Sequence, residues 1–131
     1  RILRRLMLIN FVSTATPAIV VLLLAGYIAS WYGATFDGLS TVLCISVVTA
    51  IVSSMANVLT QMFIAHGRNW TIFTASLLRD GGAVIATYFA ILNFGHGALC
   101  AACSMFAFHI VYFITMFVAY RKINISKQKH G

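Results

Sequence analysis

The sequence predicts an all-α protein, a polytopic bundle of four transmembrane helices arranged as antiparallel hairpins. Of its 131 residues, 61% are hydrophobic and only 8% are charged, whereas soluble domains contain roughly 25% charged residues. A spanning helix needs about 20 mostly apolar residues to cross a hydrocarbon core of about 30 Å. Four stretches meet this requirement, at residues 6–30, 39–64, 70–92 and 98–120. Together with a basic tail at 121–131, they predict one membrane-embedded domain over residues 1–131.

The connections and the charges predict the orientation of the four spans. The connections WYGATFDG, AHGRN and NFGHG are short and rich in glycine and polar residues, which suits hairpins. Lysine and arginine collect on the cytoplasmic side of membrane proteins. Here they precede the first span, lie between the second and third, and follow the fourth: Arg1, Arg4, Arg5, Arg68, Arg121, Lys122, Lys127 and Lys129. Both termini are therefore predicted to be cytoplasmic, and topology explains the net charge of +7 without a nucleic-acid partner.

The beginning of the chain predicts a span and not a secretion signal. RILRRLMLIN is basic like the start of a signal peptide, but the apolar stretch that follows is about 25 residues long and no small-residue cleavage site ends it. Because the sequence begins with Arg1, we expect it to be a piece of a longer protein. Initiation at Met7 is the alternative.

Cysteines and histidines predict neither a metal site nor a cofactor. Cys44, Cys100 and Cys103 lie in or beside spans, where small residues commonly pack against other helices. The histidines are scattered over loops, a tail and one span: His66, His96, His109 and His130. His109, near the middle of the fourth span, is a candidate site residue, because ionisable groups at that depth are often functional. A hydrogen bond to a neighbouring helix is the simpler interpretation.

Polar residues form a stripe along the second span. They recur every three or four residues, which places them on one side of a helix: Ser46, Thr49, Ser53, Asn57, Thr60 and Gln61. Amide side chains find no hydrogen-bond partner in lipid, so we expect Asn57 and Gln61 to face the interior of a bundle. Span one repeats the pattern with Asn10, followed by Pro17, which is expected to bend the helix. Bonding between helices and lining of a hydrated cavity both explain the stripe.

The third span contains the stretch SLLRDGGAV, which holds an arginine, an aspartate and two glycines. Arg79 follows Trp70 by nine residues, so it lies about 13.5 Å along the helix, nearly half of the hydrocarbon core. A charge at that depth costs roughly 2.5 to 3.5 kcal/mol. We therefore expect Arg79 and Asp80 to face a cavity or a bundle interior, each with a partner on another span, beside a helix break at Gly81 and Gly82. A structural polar network and a substrate contact are equally compatible with these residues.

The order of these features resembles the C-terminal part of polysaccharide or O-antigen flippases of the Wzx type, in the MATE-like multidrug, oligosaccharidyl-lipid and polysaccharide exporter superfamily. The segments that carry the resemblance are WYGATFDG, LSTVLCISVVTAIVSSMANVL, FIAHGRNW and FGHGALCAACS, in this order. The resemblance implies the last four spans of a larger bacterial inner-membrane transporter. Such a transporter moves a lipid-linked oligosaccharide between leaflets by alternating access, and Arg79 is then the candidate contact for its anionic diphosphate.

Two other classes of membrane protein are compatible with four spans. A four-span multidrug exporter resembles others of its class in carrying a glutamate in the first span, but this sequence contains no glutamate. A non-transporting membrane subunit, docking through its polar stripe on a partner or a second copy, is the stronger alternative. An enzyme is disfavoured, because the sequence has no carboxylate cluster, cofactor loop or Ser-His-Asp set.

Overall fold

The computed structural model describes residues 2–33 and 38–129, with side chains described as far as residue 123. It contains four α-helices: α1 (Ile2–Tyr32), α2 (Leu39–Ala65), α3 (Asn69–Phe94) and α4 (Gly97–Lys129). Each is long and apolar enough to cross a membrane. The predicted all-α bundle of four spans is therefore confirmed, and the chain has the helices of an integral membrane protein. Arg1, Asp37 and His130 lie outside the described residues.

The helices extend beyond the spans that the sequence predicts. α1 begins at Ile2 instead of residue 6, and α4 continues to Lys129, so the basic segment after residue 120 is helical as far as that residue. Gly95 ends α3 with a φ of 71° and donates its backbone N–H to the carbonyl of Ile91. Glycine adopts this left-handed conformation without steric cost, which makes it the usual residue at a helix C-terminus.

The core lies between α2 and α4, which pack on each other at the centre of the bundle. α1 packs on the other side of α2, and α3 packs on α4. Buried side chains of the two central helices form the core, and residues of the outer helices cover it: Ala56, Leu59, Phe63, Tyr112 and Met116, with Leu3 and Met7 from α1 and Ile72 and Ala75 from α3. This arrangement leaves α1 and α3 with wide apolar surfaces toward the bilayer.

The predicted helix break at Gly81 and Gly82 is wrong, and Pro17, where the sequence predicts a bend, does not interrupt its helix. α1 is continuous through Pro17, and α3 is continuous through both glycines. A proline removes one backbone hydrogen bond and a glycine costs about 1 kcal/mol relative to alanine. Unwinding a helix in hydrocarbon exposes further backbone groups, at several kcal/mol for each unsatisfied one. The continuous helix is therefore the less costly arrangement at both places.

Gly82 has a packing role that the sequence analysis did not identify. A Cβ atom at this position would collide with the aromatic ring of Phe108 on α4, with the ring Cζ at 2.8 Å. A Cβ atom on Gly81 would have no heavy atom within 4 Å. The absence of a side chain at Gly82 thus lets α3 and α4 approach closely, as small residues do at helix contacts in membranes.

We expect Gly82→Ala to destabilise the protein relative to Gly81→Ala. The first adds a methyl group against Phe108, and overpacking costs about 1 to 3 kcal/mol. The second gains helix propensity in open space, about 1 kcal/mol. Thermal unfolding in detergent, followed by circular dichroism, compares the two midpoints. Phe108→Leu in the Gly82→Ala background should recover most of the loss, and equal midpoints for both alanine variants would contradict the packing role.

Candidate functional site

The charged residues of α3 form an ion pair with each other. Arg79 Nε donates to Asp80 Oδ1 at 2.7 Å, and Nη2 donates to Oδ2 at 3.0 Å. The sequence analysis expected each charge to have its partner on another span; instead, the long arginine side chain reaches the adjacent carboxylate of the same helix. Two parallel N–H···O bonds are the strongest form of this pair.

The pair lies deep in the membrane and remains partly open. Arg79 is the eleventh residue of α3, about 15 Å along the axis from Asn69. The side chains of Arg79 and Asp80 are 21% and 60% exposed. A carboxylate that is open to this degree near mid-membrane would be costly against lipid, so this side of α3 is suited to a hydrated or polar environment.

Tyr112 of α4 joins the ion pair to α2. The guanidinium carbon of Arg79 lies 4.7 Å from the centre of the Tyr112 ring, in a cation–π contact. The Tyr112 hydroxyl shares a hydrogen bond of 3.0 Å with Thr60 Oγ1, and Thr60 also donates to the Ala56 carbonyl. Because Tyr112 is 4% exposed, it holds Arg79 and Thr60 in fixed positions on either side of α4. The sequence analysis missed Tyr112, although a phenol in an apolar span is the signal that identifies it.

His109 lies one turn before Tyr112 on α4 and is buried. Its Nδ1 is 2.7 Å from the Met105 carbonyl oxygen. A carbonyl only accepts, so Nδ1 carries the proton and Nε2 is the acceptor of the neutral ring. The hydrogen bond therefore stays within α4 and does not reach the neighbouring helix that the sequence suggested.

The amide side chains of the α2 stripe do not face the bundle interior as predicted. Asn57 and Gln61 are exposed, and among the described residues neither forms a hydrogen bond. The buried positions of α2 are all apolar and pack against the neighbouring helices: Ala56, Val58, Leu59 and Phe63. We call the half-buried Ser53 and the exposed Asn57 and Gln61 the α2 polar face.

The position of the α2 polar face follows from two contacts of α2. Thr60 contacts α4 through Tyr112, and Ser54 accepts a hydrogen bond of 2.7 Å from Thr14 of α1. At 100° per residue, Asn57 and Gln61 point between these two directions, so they lie on the side of α2 between α4 and α1. Measured from the turn between α2 and α3, Arg79 lies about 15 Å along its helix, Asn57 about 12 Å and Gln61 about 6 Å. Asn57 is therefore near the depth of the ion pair, and Gln61 lies closer to the end of α2.

Asn10 of α1 lies at the same depth, one turn before Thr14. It is half-buried, and its Nδ2 donates to the Leu6 carbonyl at 3.3 Å. Since α1 and α2 are antiparallel, one turn before Thr14 corresponds to one turn beyond Ser54, next to Asn57. Among the candidate residues, the side-chain contacts thus join Arg79 to Asp80, while Asn10 and Asn57 lie at similar depth on two packed helices.

An apolar groove of about 500 Å³ lies between α3 and α4. Arg79 and the half-buried Phe108 border this groove. Its other apolar walls include four side chains that are well exposed toward the bilayer: Leu77, Leu78, Ile85 and Val111. A groove of this composition fits the hydrocarbon chain of a lipid and offers a polar ligand little beyond Arg79.

The described residues contain no group of three histidine, cysteine, aspartate or glutamate side chains that would hold a metal ion. The fold and this site define an integral membrane protein of four helices with a charged and polar cluster near mid-membrane. No protein-family model, no curated protein and no solved structure matches the chain at a significant level. Its function is therefore argued from the site.

Proposed function

We propose that this chain is part of a bacterial inner-membrane transporter that flips or exports lipid-linked oligosaccharide or polysaccharide precursors by alternating access. The observation that supports the proposal most directly is the Arg79–Asp80 pair, partly exposed near mid-membrane and close in depth to Asn57, whose amide forms no hydrogen bond among the described residues. Substrate sites of transporters lie near the midplane of the bilayer, where polar groups line a cavity.

Lipid does not account for the environment of these residues. Each unsatisfied polar group in hydrocarbon costs several kcal/mol, and Asn57, Gln61 and Asp80 are all exposed within helices long and apolar enough to span a membrane. A hydrated passage satisfies all three groups with water. Passages of this kind are built where one group of helices faces another, and the remaining helices of the transporter form the second wall.

Arg79 is suited to an anionic substrate. A guanidinium carries five N–H donors, and two of them bond Asp80, so three remain for a ligand. The Tyr112 ring packs against the Arg79 guanidinium and limits its motion. Phosphate oxygens are the acceptors that arginine binds best, in bidentate and charge-assisted bonds. A diphosphate-linked lipid supplies such oxygens at membrane depth.

Reaction with a charged, water-soluble thiol reagent tests whether the passage exists. In protein whose three native cysteines are replaced by alanine, we expect Asn57→Cys and Gln61→Cys to react about tenfold faster than Val48→Cys, because only a thiol in water ionises and reacts readily. Val48 is the control, since it is exposed on a different side of the same helix and lies about as far from the helix centre as Asn57 does, toward the other end. Equally slow reaction at all three positions would contradict a hydrated passage and favour a docking subunit whose polar face is covered by protein.

A further inference from the structure

We propose that one end of the bundle binds the headgroup phosphates of anionic phospholipids. Five exposed cations lie at the end where α1 and α3 begin and α2 ends, and we call them the basic end: Arg4, Arg5, Arg68, Arg121 and Lys122. This surface is separate from Arg79, which lies inside α3. Binding of a phospholipid here does not depend on whether the chain transports anything.

The hydrophobic core brings the three basic segments to one surface. Residues of all four helices near this end belong to the same buried cluster or pack against it: Leu3, Phe63, Ile72, Tyr120 and Ile123. Arg4 follows Leu3 directly in the chain, and Arg121 follows Tyr120. The backbone N–H of Arg68 donates to the Phe63 carbonyl at 3.1 Å. Because packed helices lie about 8 to 10 Å apart, cations from distant parts of the chain become neighbours.

The charges of the basic end have no acidic counterpart among the residues that the structure describes. The sequence contains only two acidic residues. Asp80 pairs with Arg79 inside α3, and Asp37 belongs to the connection between α1 and α2. Within the described part of the chain, none of the five cations forms a hydrogen bond or an ion pair. Neighbouring charges of one sign repel each other, and bound anions relieve that repulsion.

The surroundings of the basic end favour a lipid over a soluble polyanion. Helices that span a membrane place their ends at the level of the headgroups. Trp70, two residues after Arg68, is well exposed, as are Ile2 and Phe73, and tryptophan is enriched at the membrane interface. A phospholipid satisfies both kinds of group, because its phosphate accepts bonds from guanidinium groups while its acyl chains cover the apolar side chains. A soluble polyanion such as RNA leaves the apolar side chains uncovered.

Lipid binding by the 131-residue chain in neutral detergent micelles tests the proposal. The probes are phosphatidylglycerol and phosphatidylcholine with identical acyl chains, and native mass spectrometry measures both affinities. We expect a preference for phosphatidylglycerol on the order of 30-fold, which corresponds to two cations on each headgroup at about fivefold for each cation. The preference should fall between about 0.1 M and about 1 M salt, because salt screens exposed charges.

Neutralisation of each basic segment tests whether the three segments form one surface. The variants are Arg4→Gln with Arg5→Gln, Arg68→Gln, and Arg121→Gln with Lys122→Gln. Each should lower the preference for phosphatidylglycerol by about fivefold or more and leave the affinity for phosphatidylcholine unchanged. Circular dichroism checks that the helices remain, which we expect because all five side chains are exposed.

Charge-conserving variants are the matched controls. Arg4→Lys with Arg5→Lys, and Arg68→Lys, keep the positive charge and should keep the wild-type preference, as should His96→Gln at the opposite end of the bundle. Equal affinity of the wild type for both lipids would overturn the proposal and leave the cations with a role in membrane orientation alone. A loss confined to the variants of one segment would disprove the shared surface. Tighter binding of an RNA oligonucleotide than of phosphatidylglycerol would also overturn the proposal.

Discussion

Arg79→Leu is expected to lower the affinity for polyprenyl diphosphate by about 10- to 100-fold, because hydrogen bonds to charged groups contribute about 1.5 to 3 kcal/mol. Arg79→Lys should retain part of the affinity, since lysine keeps the positive charge and loses only the planar fork of donors. Binding is measured per molecule of protein inserted in nanodiscs, so that a change in protein level does not imitate a change in affinity. In the complete transporter, glycan export per inserted molecule should follow the same order.

A purely structural ion pair leads to a different result in the same experiment. Arg79→Leu would then lower the amount of inserted protein, and the protein that remained would bind and export normally. Wild-type binding by the inserted fraction of Arg79→Leu would eliminate the substrate role of Arg79. The polyprenol without phosphate is the control ligand, and its binding should not depend on the residue at position 79.

The second large effect concerns charge balance in α3. Arg79→Leu leaves the Asp80 carboxylate without its partner, which we expect to destabilise the bundle by about 1 to 3 kcal/mol; the partial exposure of Asp80 keeps this below the cost of a fully buried pair. Asp80→Leu should cost less, because Arg79 retains the face of the Tyr112 ring. The double variant Arg79→Leu with Asp80→Leu removes both charges and should approach wild-type stability.

Thermal unfolding in detergent and the yield of inserted protein measure these three variants together. The expected order of unfolding midpoints is Arg79→Leu lowest, Asp80→Leu next, and the double variant near the wild type. A double variant as unstable as Arg79→Leu would show that the unpaired Asp80 carboxylate is not what destabilises Arg79→Leu. The double variant and Arg79→Leu both lack the guanidinium but are expected to differ in stability. If both bind the lipid equally weakly, the loss of binding is due to the missing guanidinium and not to instability.

Much of the architecture was predictable from local properties of the sequence. Hydropathy, length and loop composition predict the number of spans and their approximate bounds, because a bilayer demands about 20 apolar residues in each span. The depth of Arg79 and Asp80 also follows from counting along one helix at a fixed rise. These properties depend on each helix and its solvent, and not on which helices are neighbours.

Pairing and orientation required the tertiary structure. The Arg79–Asp80 bond, the support by Tyr112 and the close approach at Gly82 depend on where α4 lies against α3 and on the rotamers of long side chains. The polar stripe on α2 likewise depends partly on the sequence pattern and partly on the packing of the helices. Its periodicity places Thr60, Asn57 and Gln61 on neighbouring parts of the helix surface, but only the packing of α4 puts Thr60 inside and leaves the two amides outside. A sequence pattern defines which residues share a side of a helix, whereas close packing and hydrogen bonds between helices decide which side becomes the core of a membrane bundle.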